Sequence, residues 1–191
     1  MGYEARRYVY SVTPYVDEWK KIYEREAARI KGTLGNELLY LEHVGGTAVA
    51  GGSGKPVVDI LAVVRDIGKI DSYDAAFRAI GYEAAGDDII INGRLFGKDI
   101  VHPHGGWERL VDLYVLPDEH PKMMDMINTR DYLKAHPEEL KKLEEFKTRL
   151  FKKHPHDHAA YEEEKQSFLR EFARKAARWR GRHVDEDWGT V

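Results

Sequence analysis

The 191-residue chain contains no cysteine. That absence removes disulfides, thiolate metal ligands and a thiol nucleophile together, so any metal must be held through oxygen or imidazole. Neither sign of charge dominates: 30 Lys and Arg stand against 33 Asp and Glu, for a net charge of −3. A general polyanion binder needs a basic excess, and duplex nucleic acid is therefore not the leading partner. No apolar run approaches the roughly 20 residues that cross a bilayer. The opening MGYEARRYVYSVTPY lacks the apolar core of a signal peptide, and the expectation is a soluble, cytoplasmic protein with no membrane partner. Internal repeats and low-complexity tracts are also missing.

What remains has the size of one domain with a full core. Tyr8 to Val12 reads as a short strand ended by Thr13 and Pro14. Asp17 is placed to cap a helix in which Trp19, Ile22, Tyr23, Ala27, Ile30 and Leu34 recur at helical spacing until Gly35. Leu38 to Val44 and Val57 to Val64 read as strands, the second apolar on both faces as a central strand should be. Ser72 to Ile80 reads as a helix closed by Gly81, and Ile89 to Ile91 with Arg94 to Phe96 as a hairpin around Asn92-Gly93. Leu110 to Leu116 is another strand. From Pro121 onward the period is helical. Pro137 opens one helix, with a stripe through Leu140, Leu143, Phe146, Leu150 and Phe151, and Asp157 caps the last, with a stripe through Tyr161, Phe168, Leu169, Phe172, Ala176 and Trp179. The charged run EELKKLEEFK reads as a solvated helix face. The expected class is α+β, a mixed sheet core over about 8–117 with flanking helices and a C-terminal helical extension over about 118–180, followed by a frayed tail at 181–191.

The stretch EHVGGTAVAGGSGKPVVDILAVV, from Glu42 to Val64, carries the strongest functional signal. Glycines let a backbone approach a ligand closely, and a turn opening toward a helix offers N–H groups to a phosphate. An acid within the next apolar run, Asp59, needs a partner, because an unpaired buried carboxylate costs several kcal/mol. Two readings stand. The glycines and Asp59 form a phosphate and metal site, or they form a flexible connection and a structural ion pair with Lys55 or Arg94. Asp112, within RLVDLYVL, makes the same demand. Lys165 lies in line with an apolar stripe; its ammonium either snorkels outward or enters a cleft. Arg94, Lys98 and Arg130 are cationic candidates for phosphate contacts, and His43, His102 and His104 are imidazoles near the same segments.

The order of these motifs resembles the GrpB family. Pro14-Tyr15 with Trp19, Glu42-His43-Val44-Gly45, Thr47-Ala48-Val49, Lys55-Pro56 and Asp59-Ile60 are similar to its main signature, and Arg130-Asp131-Tyr132-Leu133, His136-Pro137, Tyr161, Lys165 and Phe168 to its C-terminal pattern. The family is placed in the nucleotidyltransferase superfamily, where a Gly-Gly or Gly-Ser pair precedes, by about a dozen residues, a strand with metal-binding carboxylates. The chain departs from the family in three places: Gly45-Gly46 for Gly-Ser, Val49-Ala50-Gly51-Gly52 for Val-Pro-Gly-Leu, and Asp112 and Tyr114 for a His-x-His pair on a late strand. The superfamily's acid strand also carries a second acid where this chain has Val57 and Leu61.

The resemblance implies metal-dependent transfer of a nucleotidyl group from a nucleoside triphosphate to a small acceptor. Asp59 and Asp112 would be catalytic and hold Mg²⁺ or Mn²⁺, with Glu42, His43, His102 and His104 as additional ligands. Gly45, Gly46, Thr47, Lys55, Arg94, Arg130 and Lys165 would contact the phosphates, and no organic cofactor is implied. The missing acid keeps a second reading open, a nucleotide- or phosphometabolite-binding module without catalysis. The histidines keep a third, a histidine-assisted metal enzyme acting on a phosphoester.

Overall fold

The computed structural model describes residues 11–86, 90–103 and 106–187. Five strands form the main sheet. In chain order they are β2 (Leu38–Val44), β4 (Val58–Val64), β5 (Glu83–Ala84), β6 (Arg94–Val101) and β7 (Trp107–Pro117), arranged β2-β4-β7-β6-β5. The β4–β7 pair is parallel and every other pair antiparallel. A separate two-residue ladder joins β1 (Thr13–Pro14) to β3 (Ser53–Gly54). The five helices are α1 (Glu18–Leu34), α2 (Asp74–Ala79), α3 (Pro121–Ala135), α4 (Pro137–Lys153) and α5 (His158–Asp187). The α+β class expected from the sequence is the observed one.

The apolar run on β4 explains the layering. Its alternate residues Val58, Ile60, Ala62 and Val64, with Val111, Leu113 and Val115 of β7, pack against Trp19, Ile22, Ile30 and Leu34 of α1 and Phe77 of α2. Leu61 and Val63 point the other way and meet Val44, Leu116 and Met123 of α3. Each such side chain contributes about 1.5–3 kcal/mol when buried, so β4 anchors both layers. Farther along α3, Tyr132 and Leu133 enter a third cluster with Leu140, Leu143, Phe172 and Ala176, which seats α4 and α5. The helical extension is thereby held over the Leu61 face of the sheet.

Several local expectations are corrected. Residues 8–10 of the first expected strand lie outside the described residues, and Ser11 and Val12 are irregular. Pairing begins at Thr13, and Pro14, with no N–H to donate, keeps it to two residues. Asp17 occupies the N-cap position of α1 without a side-chain cap, whereas Asp157 accepts from Ala160 N–H at 3.0 Å. The two-residue hairpin around Asn92-Gly93 does not form. Ile90 and Ile91 are bend and turn, Ile89 lies outside the described residues, and β6 pairs instead with Glu83–Ala84. Asn92 still takes the left-handed conformation, φ 53°, but as part of a wider connection. The tail expected to fray from 181 continues as helix to Asp187, since extending a formed helix fixes one residue per added hydrogen bond. Trp188 lies outside the described residues.

The EELKKLEEFK run is not simply solvated. Glu139 and Lys147 are buried, and its ion pairs fall at i,i+3: Lys142–Glu139 at 2.5 Å and Lys147–Glu144 at 2.9 Å. Lys98 likewise belongs to the scaffold. Its ammonium crosses from β6 to Glu26 of α1 at 2.8 Å, and Tyr82 donates to the same carboxylate at 3.1 Å. Burial alone would raise the Glu26 carboxyl pKa, but the Lys98 hydrogen bond and charge, with Tyr82 and Arg29, hold it below the usual value.

Removing one partner of that buried pair strands the other. Glu26→Ala should destabilise the chain by about 3–5 kcal/mol, and Glu26→Leu combined with Lys98→Met by much less. Urea unfolding of the three proteins at pH 7 measures the difference.

Candidate functional site

Parallel pairing of β4 with β7 places Asp59 directly beside Asp112, in register. Neighbouring residues of a parallel pair point to the same face, so both carboxylates stand on the side covered by α3, α4 and α5. There the sheet and the helices enclose a cleft of about 380 Å³, and Asp59, Asp112 and Tyr114 lie along its floor. Two acids side by side at the base of a cleft cannot both ionise cheaply. Burial first and the Asp112 charge second push the Asp59 carboxyl up to about 7, while Lys165 and Lys55 pull in the opposite direction. Tyr114, two residues beyond Asp112, shares that face, and its phenol is raised well above its usual value by burial and then by the Asp59 and Asp112 charges.

Glycines make this arrangement possible at two points. Gly45 follows β2 with φ 72°, and a methyl there would overlap the Asp59 carboxylate. Gly97 of β6 sits opposite Asp112, and a methyl there would occupy the place of the Arg109 guanidinium. Through that gap Arg109 reaches Asp112 at 2.8 Å and Asp99 at 2.5 Å. Asp112 is thus partly neutralised by protein, whereas Asp59 carries the raised pKa.

The helices supply the cationic wall. Lys165 of α5 lines the cleft instead of pointing to solvent, and it pairs with Glu162 at 2.7 Å. Glu162 also meets Lys55 at 2.8 Å. Lys147 of α4 donates to the Ser53 carbonyl at 2.5 Å, and Glu144, its own partner, also accepts from the Ser53 hydroxyl. On the α3 side Arg130 donates to Glu42 at 2.6 Å and to the His43 carbonyl at 2.9 Å. Gly46 and Thr47, in a single 3-10 turn, complete the rim.

The other expected site residues are placed elsewhere. Side chains alternate along β2, so Glu42 shares the face of Asp59 while His43 points away, stacked on Tyr23 with ring centroids 4.9 Å apart. Its Nε2 lies 3.0 Å from Thr47 Oγ1. Burial, then the Lys134 and Arg130 charges, lower the His43 pKa to about 4, so the ring is neutral and on the wrong face for Asp59. His102 is at the far end of β6, 3.6 Å from Glu108, and His104 lies outside the described residues. Arg94 is held by Asp71 at 2.6 and 2.8 Å, away from the cleft lining. Among the described residues no three His, Asp or Glu side chains converge as a metal site; the two in-register aspartates are the oxygen donors at the cleft floor.

Glu162, Lys147, Tyr114 and Arg109 are the residues that motif reasoning missed. The signal for Lys147 was present, since it falls in the Leu140, Leu143, Leu150 stripe of α4, the same anomaly that singled out Lys165. Glu162 precedes Lys165 by three residues, one helical turn along the same face.

This architecture has known counterparts. The family model described as GrpB protein matches residues 10–175. The UPF0157 protein YqkA of Bacillus subtilis (strain 168) is 28% identical over 166 residues, 87% of this chain but 47% of YqkA, so the chain spans about half the length of that relative. The glutamate-rich protein GrpB of Alkalihalophilus pseudofirmus is 26% identical over 159 residues, covering 81% of this chain and 88% of the relative. In three dimensions the crystal structure of conserved protein GrpB from Enterococcus faecalis superposes with a TM-score of 0.78 at 28% identity, over 87% of this chain and 96% of that one. With a family match running from β1 into α5, and the same fold in a relative, the chain belongs to the GrpB family.

Proposed function

We propose that the cleft binds a nucleoside triphosphate with one divalent cation and transfers its nucleotidyl group to the hydroxyl of a small acceptor, breaking the α–β phosphoanhydride bond and releasing pyrophosphate, the activity implied by the likeness to the nucleotidyltransferase superfamily. One observation carries the reading: Asp59 and Asp112 are in register on neighbouring parallel strands at the floor of a cleft whose walls bear lysines and arginines. Burial and the Asp112 charge raise the Asp59 pKa to about 7, so a cation beside the two carboxylates would favour its ionised form. A hard cation with few protein ligands and several waters fits two carboxylates in that position. When bound, Mg²⁺ or Mn²⁺ would neutralise charge on the transferred group. Asp59 and Asp112 would hold it. Lys55, Lys165 and Arg130 would orient the phosphates, and Gly45 and Gly46 would let them approach the floor without meeting a side chain. The Asp59 carboxylate would also accept the acceptor's hydroxyl proton.

A second reading, a phosphometabolite-binding module without turnover, is favoured by the Arg109–Asp112 pair at 2.8 Å and by Leu61 in place of a further acid. Lys55 meets Glu162 at 2.8 Å and Arg94 meets Asp71 at 2.6 Å; these partners, other than Asp59, favour the first reading. The helical extension, in either reading, is part of the same domain as the sheet because it supplies one wall of the cleft.

Titrations with ATP, CTP, GTP and UTP, with and without Mg²⁺, test the binding. At least one triphosphate should bind at least tenfold more tightly with Mg²⁺ than without it, and Asp59→Asn should weaken the Mg²⁺-supported binding at least tenfold, about 1.4 kcal/mol. Failure of every triphosphate to bind with Mg²⁺ overturns the reading. If Asp59→Asn still binds, turnover must fall; unchanged turnover removes Asp59 from the chemistry.

Stability offers an independent check in metal-free buffer. The folded chain keeps the Asp59 proton to about pH 7, whereas the ordinary value is 3.8, so folded-state stability falls as pH rises through that window and levels off above it. Asp59→Asn carries no such charge. The variant should be more stable than the parent at pH 8, by on the order of 2 kcal/mol, with the gain shrinking toward pH 5. Thermal melts at the two pH values measure the difference.

A further inference from the structure

Six cationic side chains line the cleft, Lys55, Lys122, Arg130, Lys147, Lys165 and Arg170, against the carboxylates of Asp59, Asp112, Asp125 and Glu162. Glu42 and Asp131 pair with Arg130, and Glu144 with Lys147, so an anionic ligand would compete with the protein's own carboxylates for these cations. Three of these lysines come from separate elements: Lys55 from the segment after β3, Lys147 from α4 and Lys165 from α5, with side chains 20%, 7% and 14% exposed.

Lysines drawn together in a partly dry site need an anion between them. Glu162 supplies it for two of the three, accepting from Lys55 at 2.8 Å and from Lys165 at 2.7 Å. Burial alone would raise the Glu162 carboxyl pKa, but the Lys165 and Lys55 charges bring it down to about 2, so it is fully ionised at neutral pH. A carboxylate gripped by two ammonium groups offers them the same pair of charged oxygens that a phosphate would. It belongs to a side chain of α5 that lines the cleft. Lys147 lies one step away: a methyl on Gly46 would be 3.3 Å from its Nζ, which places that ammonium against the glycine turn.

We propose that Glu162 is a built-in stand-in for a phosphate of the ligand. Without ligand it bridges Lys55 and Lys165; a polyphosphate displaces it, takes both lysines, and sets its neighbouring phosphate beside Lys147 and Gly46. The proposal rests on the reading that this cleft is the ligand site, but neither on group transfer nor on a bound cation. Its consequence runs against the usual loss of binding on mutating a site residue: removing this charge should strengthen binding.

Calorimetric titration with tripolyphosphate and with pyrophosphate, in metal-free low-salt buffer, tests it on the parent chain, Glu162→Gln and Glu162→Gln/Lys165→Met. Glu162→Gln should bind tripolyphosphate roughly tenfold more tightly than the parent, the effect of deleting one nearby negative charge. Adding Lys165→Met should abolish the gain, and Glu162→Ala should reproduce its direction should the Gln variant fold poorly. Equal or weaker binding by Glu162→Gln, or no binding by either protein, overturns the proposal. The two readings fail separately. Mg²⁺-dependent triphosphate binding without the gain in Glu162→Gln removes the stand-in and leaves the proposed function, whereas the gain without any turnover keeps the stand-in and removes the transfer.

Discussion

Two carboxylates forced side by side by the register of β4 and β7 are the constraint around which the cleft is built. Pairing of Asp59 with Asp112 is unfavourable in itself, and neighbouring features answer it. Arg109 threads over Gly97 to pair with Asp112, and Lys165 and Lys55 bring positive charge from beyond the sheet. Glycine at position 45 leaves room for the Asp59 carboxylate, which a methyl there would overlap. What keeps the carboxylates in place is the apolar run of β4 and β7, buried on both faces and contributing far more than one charge pair costs.

The two faces of the sheet divide the work. The α1 face is sealed by a large apolar cluster and by the closed Glu26–Lys98–Tyr82 network, where each charge has its counterpart. The α3 face is apolar only toward Leu61, Val63 and Leu116, and becomes charged toward the end of β4 that bears Asp59. One sheet thus carries a finished polar network on one side and a polar site open to a ligand on the other. The difference decides which buried charges read as scaffold and which as function.

Much of this was legible in the sequence. The apolar run Val58–Val64 and the glycine pair before it located the central strand and the turn, because a strand buried on both faces tolerates an acid only for a reason. Lys165 was visible as a lysine on an apolar stripe. The placement of Arg94, Lys98 and His43 was not legible, since it depends on which face of which strand each occupies and on partners far along the chain, Asp71, Glu26 and Tyr23. Glu162 escaped notice because an acid in a charged helix is ordinary until the fold brings Lys55 to meet it. Lys147 was hidden in a run of alternating charge, although its position in the α4 stripe was the better guide.

The parallel pairing of β4 with β7 has a kinetic meaning as well. Between the two strands the chain must pass through α2, β5 and β6 before β7 can dock, so among the described strand pairings the one that creates the site is the least local. Contacts of that kind cost loop-closure entropy before they return any stabilisation and are slow to form. A partly folded chain, with β2 and β4 joined but β7 not yet docked, holds Asp59 beside water and no repulsive neighbour. The electrostatic cost of the site is therefore incurred at the closing of the central sheet, when the flanking hydrophobic residues of the same two strands come together to offset it.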